Sequence, residues 1–236
     1  MTKYRFILLL SIILNLTLIG SIFYLVNRLG GLKFMIHRIQ QGGLAGLYEN
    51  RKDLFEHLPL EKGSIIFLGD SLTEFGQWSE LLPYPTIKNR GIAGETTDGL
   101  LRRLDGVLAS RPNAIFLMIG INDFLFFNRK KILENYNKII NDINKKSPKT
   151  KLFIQSLLPV NKGVRNNVFD NKEIARLNGE LKILCEKKGI TYLDLHSLLL
   201  DDKGQLATKY TADGVHINGA AYLIWKEVVF DYIIEL

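Results

Sequence analysis

Five short runs that read as strands, the first and third almost wholly apolar, separated by stretches of helical periodicity, constrain this chain more than any other feature. The runs are "SIIFLG" (64–69), "TIKNRG" (86–91), "NAIFLMIG" (113–120), "KLFIQSLLP" (151–159) and "TYLDL" (191–195). Helical patterns fall at about 97–109, 130–146 and 169–188, with a last one at about 219–235. A strand that is apolar throughout has both faces covered, so this alternation predicts a parallel sheet with helices on both sides. In such sheets ligands bind beyond the carboxyl ends of the strands. The residues just after each run are therefore where chemistry is expected.

A different signal precedes the alternation. "FILLLSIILNLTLIGSIFYLV" (6–26) is apolar apart from Ser, Thr, Gly and one Asn. Its length matches the roughly 20 residues a helix needs to cross a bilayer core. Lys3 and Arg5 come before it, Arg28 follows, and Tyr24 suits the interface. A cleaved signal peptide has an apolar region of about 7–15 residues and a small-residue cleavage site. This run is longer and lacks such a site, and it has no polar face for a buried core helix. The expectation is an uncleaved signal anchor at 1–27, a juxtamembrane linker at 28–43 with Gly30, Gly31, Gly42 and Gly43, and a single α/β domain at 44–236. The basic residues ahead of the run put the amino terminus inside, although Arg28, Lys33 and Arg38 on the other flank weaken that bias. The domain is then extracytoplasmic on a single-pass anchor. A helix at 44–58 follows the linker and stops at Pro59.

The net charge is +7, and residues 1–63 supply more than half of it, with 8 basic and 4 acidic residues. No basic stripe with interleaved aromatics appears, so nucleic acid is not expected as a partner. Cys185 is the single cysteine, so no intrachain disulfide can form. Its place on the apolar side of a helix suggests a packed, inert thiol.

Four residue sets lie at the predicted strand ends. Gly69-Asp70-Ser71 follows the first run, and "NRGIAGETT" puts Gly91 and Gly94 after the second. "GINDF" puts Asn122 and Asp123 after the third. "TADGVHIN", with Asp213 and His216, precedes the last helix. A serine hydroxyl needs a base to become a nucleophile, and histidine titrates in the right range. An acid that orients the imidazole completes a triad, and three residues of spacing let Asp213 reach back to His216. A developing oxyanion needs fixed donors, which the N–H groups of Ser71 and Gly94 and the Asn122 amide can supply. Each set also has a plainer reading. "SLTE" matches a capping box with Ser71 as the cap. The glycines suit turns, Asn122 suits a helix cap, and Asp213 with His216 suits a polar turn.

Together and in this order, the sets resemble the SGNH hydrolases, the GDSL-type esterases and lipases. "FLGDSLTE" resembles their first block, "NRGIAGETT" the glycine block, "GIND" the asparagine block and "DGVHIN" the Asp-x-x-His block. The resemblance covers about residues 64–235 and is nearest to the branch with the platelet-activating-factor acetylhydrolase α subunits. It implies a flavodoxin-like three-layer α/β/α fold with a five-stranded parallel sheet. It also implies Ser71 as nucleophile, His216 as base, Asp213 as its partner, and Ser71, Gly94 and Asn122 as the oxyanion hole. The expected activity is hydrolysis of small acyl esters, such as O-acetyl groups on sugars or lysophospholipid esters. An O-acetyltransferase and a non-catalytic, membrane-tethered binding domain are the competing readings.

Other candidates carry less. His196 follows Asp194 in "LDLHSLL" and comes straight off the fifth run, which suggests a structural role. His37 and His57 precede the domain's sheet and are expected to be solvated. No metal-ligand spacing and no phosphate-binding glycine motif occurs, so no metal and no cofactor is expected. Asp70 and Asp123 are expected to shape the loops that present Ser71 and Asn122. The aromatics of "DFLFF" (123–127) either line an acyl pocket or belong to the core.

Overall fold

The computed structural model describes residues 2–28, 44–164 and 169–236. Most of the expected linker, and His37 with it, lies outside the described residues. The chain divides into two compact units after Glu49. In the first, helix α1 (Thr2–Arg28) carries a candidate membrane span, Lys3–Leu25, with none of that span buried. At about 1.5 Å per residue its 27 residues reach about 40 Å, enough to cross a hydrocarbon core. Helix α2 (Leu44–His57) crosses the division and leads into the second unit.

The described residues of that unit build a five-stranded, wholly parallel sheet. Its strands are β1 (Ile65–Gly69), β2 (Ile87–Gly91), β3 (Ala114–Met118), β4 (Lys151–Gln155) and β5 (Thr191–Leu193). Their spatial order is β2-β1-β3-β4-β5. The chain moves outward from β1 to β2, then returns past β1 to β3. That reversal makes the carboxyl ends of β1 and β3 a topological switch point, the usual ligand crevice of a doubly wound sheet.

Side-chain alternation divides the core. Phe67, Phe116 and Phe153 are in register across β1, β3 and β4 and stack at 5.1 and 4.5 Å between centroids. On this face Trp78 of the short helix α4 (Trp78–Leu81) stacks on Phe67 at 4.0 Å. The face is closed by Tyr222, Trp225 and Tyr232 of the last long helix, Gly219–Ile233. The alternate residues, among them Ile66, Leu68, Ile115 and Leu117, are fully buried on the other face. There α5 (Thr97–Leu108), α6 (Arg129–Lys146) and α7 (Asn171–Lys188) form the second layer. Truncating Phe67 to Ala would cost about 3–5 kcal/mol, because the aromatic stack leaves no neighbour free to collapse into the gap.

Caps set where these helices begin. Thr96, Asn128 and Asp170 accept hydrogen bonds from the first turns of α5, α6 and α7, and Asn218 does so for the last helix, α8. Each is worth about 1 kcal/mol. Asp170 explains why α7 starts at Asn171 rather than 169. β4 ends at Gln155, before the predicted Pro159, because the chain leaves the sheet at Ser156. The Ser156 hydroxyl accepts the N–H groups of Leu195 and His196 instead.

Candidate active site

β1 runs directly into helix α3 (Ser71–Glu74). Asp70, not Ser71, is its N-cap: the Asp70 carboxylate accepts from the Leu72 N–H at 3.0 Å. The capping-box reading of "SLTE" is therefore corrected. Ser71 keeps its hydroxyl for another partner, and Glu74 turns outward from the cap position to accept from the Ala93 N–H. Asp70 is fully buried, and burial pushes its pKa up to about 7.

The partner of Ser71 comes from the far end of the chain. Its Oγ lies 3.1 Å from Nε2 of His216. The opposite ring nitrogen, Nδ1, lies 2.7 Å from Oδ2 of Asp213. Oδ1 of Asp213 accepts the backbone N–H groups of Val215 and His216. Burial works against the Asp213 carboxylate, but these hydrogen bonds, led by the one from the His216 ring, outweigh it and hold its pKa at about 2. An ionised carboxylate only accepts, so Nδ1 carries the ring proton and Nε2 is left to accept from the Ser71 hydroxyl. The turn is fixed by Thr211, whose Oγ1 donates to the His216 carbonyl and accepts from Gly214 N. α8 starts immediately after it, and the Tyr222 hydroxyl donates to the Leu72 carbonyl in α3 at 2.7 Å. Ser71 is nearly buried, at 8% exposed, while the His216 and Asp213 side chains beside it are 39% and 37% exposed, so solvent reaches the site from the imidazole side.

Two loops flank Ser71. After β2, Gly94 has φ +79°, with nothing within 4 Å of where a Cβ would stand. Backbone conformation alone calls for glycine there. At Gly91 the reason is contact, since a Cβ would meet Glu74 N at 2.3 Å and the Asp70 carbonyl at 2.8 Å. After β3, Asn122 opens a 3₁₀ turn, Asn122–Leu125, and does not cap it. Its Nδ2 instead donates to the Glu95 carbonyl at 3.0 Å, joining the two loops. Asp123 is fully buried beneath them, and its carboxylate accepts both the N–H and the hydroxyl of Thr97. Burial raises its pKa to about 6 against those hydrogen bonds.

The remaining sequence candidates fall as follows. His196 takes no bond from Asp194; its Nδ1 meets the Leu157 carbonyl at 3.0 Å, and Asp194 caps Ser197. His57 is exposed beside Asp53. Cys185 is buried, and burial raises its thiol to about 11. "DFLFF" splits: Asp123 is buried, Phe124 packs on the core, and Leu125 and Phe126 are exposed. Phe75, whose ring lies 5.3 Å from that of His216, is exposed too and carried no sequence signal. Thr97, Asn135 and Tyr222 also escaped notice, because each acts across 26 residues or more. A cavity of about 570 Å³ lined by Phe55, Leu58, Arg90, Arg103 and Val107 contains none of the site residues.

Residues 67–224 match the model of the GDSL-like lipase/acylhydrolase family, and the chain belongs to that family of carboxylic ester hydrolases. A Streptococcus pneumonia structure, provisionally named a platelet activating factor, superposes with a TM-score of 0.77 at 29% identity. That match covers 84% of this chain and 98% of that one. A GDSL-like lipase from Bacteroides thetaiotaomicron VPI-5482 follows at 0.69 and 21%, covering 80% and 97%. An acetyl xylan esterase shares the fold at 0.61 and 19%, covering 72% and 99%. The chain is also 24% identical over 173 residues to N-acylneuraminate cytidylyltransferase of Escherichia coli O18:K1:H7 (strain RS218 / NMEC). It spans only 40% of that protein's length.

Proposed function

We propose that the chain is a serine ester hydrolase working by two-step acyl transfer. Ser71 Oγ attacks the ester carbonyl while His216 Nε2 takes its proton. Asp213 holds the imidazole by Nδ1 and balances its positive charge. The oxyanion lies among the N–H groups of Ser71 and Gly94 and the second N–H of Asn122 Nδ2. The alcohol leaves with the proton from His216. Water, deprotonated in turn by His216, then cleaves the acyl-enzyme and restores Ser71. The line from Ser71 through His216 to Asp213, at 3.1 and 2.7 Å, is the observation that carries this reading.

The substrate class is an acyl ester of a bulky alcohol, either a short acyl group on a sugar or the fatty acyl group of a lysophospholipid. A site open to solvent on the imidazole side admits a bulky sugar or glycerol group, and Phe75, Leu125 and Phe126 offer exposed apolar surface beside His216 and Asn122. O-acetyl sugars and lysophospholipids are the two candidates, and transfer to a sugar hydroxyl instead of water would make the protein an O-acetyltransferase. α1 is proposed as a single-pass anchor that, through a linker at 28–43, tethers the domain at 44–236 outside the cytoplasmic membrane.

The test is hydrolysis of p-nitrophenyl acetate by the full chain in detergent, together with fluorophosphonate labelling. Both are expected in the wild type and lost in S71A. A wild type that neither turns over short esters nor takes the label would favour a binding domain. Protease protection in intact cells checks the orientation.

A further inference from the structure

The loop that presents Gly94 is gripped from outside the residues that match the family. Ala93, its neighbour, donates its N–H to Oε2 of Glu74 at 2.5 Å. The other oxygen of that carboxylate, Oε1, lies 3.2 Å from Nε of Arg51 in α2. On the far side of Gly94, Glu95 is buried and ion-paired with Arg103, which also donates to the Arg90 carbonyl. The Glu95 N–H is held by the Ile92 carbonyl at 3.1 Å. Nothing stands within 4 Å of where a Cβ on Gly94 would be, and the residues on either side of it are the anchored ones.

Arg51 and Arg103, which hold these carboxylates, share one support with Arg90. The guanidinium groups of Arg51, Arg90 and Arg103 lie 4.8, 4.7 and 5.9 Å from the ring centroid of Phe55, four residues after Arg51 on α2. Burial, and after it the like charges of Arg103 and Arg51, lower Arg90 to about 10. The cluster is therefore under mutual repulsion, which the carboxylates of Glu74 and Glu95 and the face of Phe55 offset. Removing one carboxylate leaves the cations to push apart, and the loop gives way because it is joined to both.

We infer that Glu74 and Arg51 are positioning residues that aim the Gly94 N–H at the oxyanion. Helix α2 thereby sets catalytic competence from outside the family domain. The inference rests on the oxyanion role proposed above for Gly94. Among the described residues α2 is the element that follows α1 in the chain, and it is the one that braces the loop.

The full chain in detergent is assayed with p-nitrophenyl acetate as wild type, S71A, E74A, E74Q, R51A and R51K. Amide exchange of residues 92–96 is followed in each. Losing a whole oxyanion donor costs about 10²–10³ in kcat, so a misaimed one should cost about 10- to 100-fold. E74A and R51A are expected to lose that much in kcat with KM changed less than about threefold, since the oxyanion contact forms only in the transition state. Exchange at 92–96 should rise in both, and R51K should recover part of kcat. Should E74A fail to fold, E74Q and R51A carry the test, since the glutamine still accepts from Ala93 but loses the ion pair. Folded E74A and R51A with kcat within twofold of wild type, while S71A is dead, would overturn this inference alone. No Ser71-dependent turnover in the wild type would overturn the hydrolase reading and this inference with it.

Discussion

Ser71 Oγ and His216 Nε2 stand 3.1 Å apart although 145 residues separate them in the chain. The parallel sheet makes the meeting possible. β1 delivers Ser71 to the rim, and the turn capped by Asp213 delivers the imidazole to the same rim just before α8 returns across the sheet.

Replacing Ser71 with Ala is expected to reduce kcat by about 10⁴–10⁶. The melting temperature should hardly move, because Asp70 rather than Ser71 caps α3. Ester turnover and thermal denaturation of one preparation check both halves. A large fall in melting temperature would return the cap role to Ser71.

Asp213→Asn keeps the shape but replaces an acceptor with a group that can offer N–H to Nδ1. The wrong tautomer of His216 then faces Ser71, and a loss of about 10⁴ in kcat is expected. Because the wild-type Asp213 is held near pKa 2, its contribution to stability is present above about pH 4 and is lost as pH falls toward 2. Acid inactivation observed between pH 7 and 5 must therefore come from other groups. A pH-rate profile with an Asp213-dependent limb above pH 4 would contradict this.

Asn122→Ala removes a side-chain donor and the bridge to the Glu95 carbonyl. A loss of about 10²–10³ in kcat with a smaller change in KM is expected. An equal effect on KM alone would assign Asn122 to substrate binding instead.

The two loop glycines should fail differently. Gly91→Ala forces a Cβ into the backbone of Glu74 and Asp70, and misfolding or a stability loss of about 3 kcal/mol or more is expected. Gly94→Ala meets open space and bears only the strain of its positive φ, about 1 kcal/mol. It should fold and lose activity. Denaturant titration with parallel assays separates the two.

Asp70 carries a pH signature of its own. Its folded pKa of about 7 lies above the unfolded value of 3.8. Its contribution to stability is therefore fully present below about pH 4 and is lost as pH rises through 7. Wild-type stability should decline across that window by an amount on the order of a few kcal/mol, with Asp123 adding to the lower part. Asp70→Asn should flatten the decline above pH 6. Denaturant midpoints at pH 5, 6, 7 and 8 check it, and identical slopes for the two proteins would refute it.

The strands were legible because a sheet covered on both faces leaves unbroken apolar runs such as Ile65–Leu68 and Ala114–Met118. The candidate site residues could be singled out because each falls within a few residues of a strand end or of the last helix. Glu74 could not be. In "SLTE" it satisfied a local capping pattern, while its actual partners, Ala93 and Arg51, are 19 and 23 residues away. Arg51 and Phe55 likewise read as one face of an ordinary amphipathic helix. Nothing local distinguishes a residue that packs from one that braces a loop through a second side chain. The short helix Trp78–Leu81 was missed for a related reason: Trp78 is held there by its stack on Phe67 and by its indole N–H on the Thr73 carbonyl, not by propensity.

The bond from the Tyr222 hydroxyl to the Leu72 carbonyl has a consequence for biosynthesis. Ribosomes add about 5–20 residues per second, so Ser71 is made roughly 7–30 seconds before His216 and the helix that pins its turn. Throughout that interval the serine is an ordinary alcohol. On the proposed mechanism the chain becomes competent only once helix α8 has been laid across the sheet.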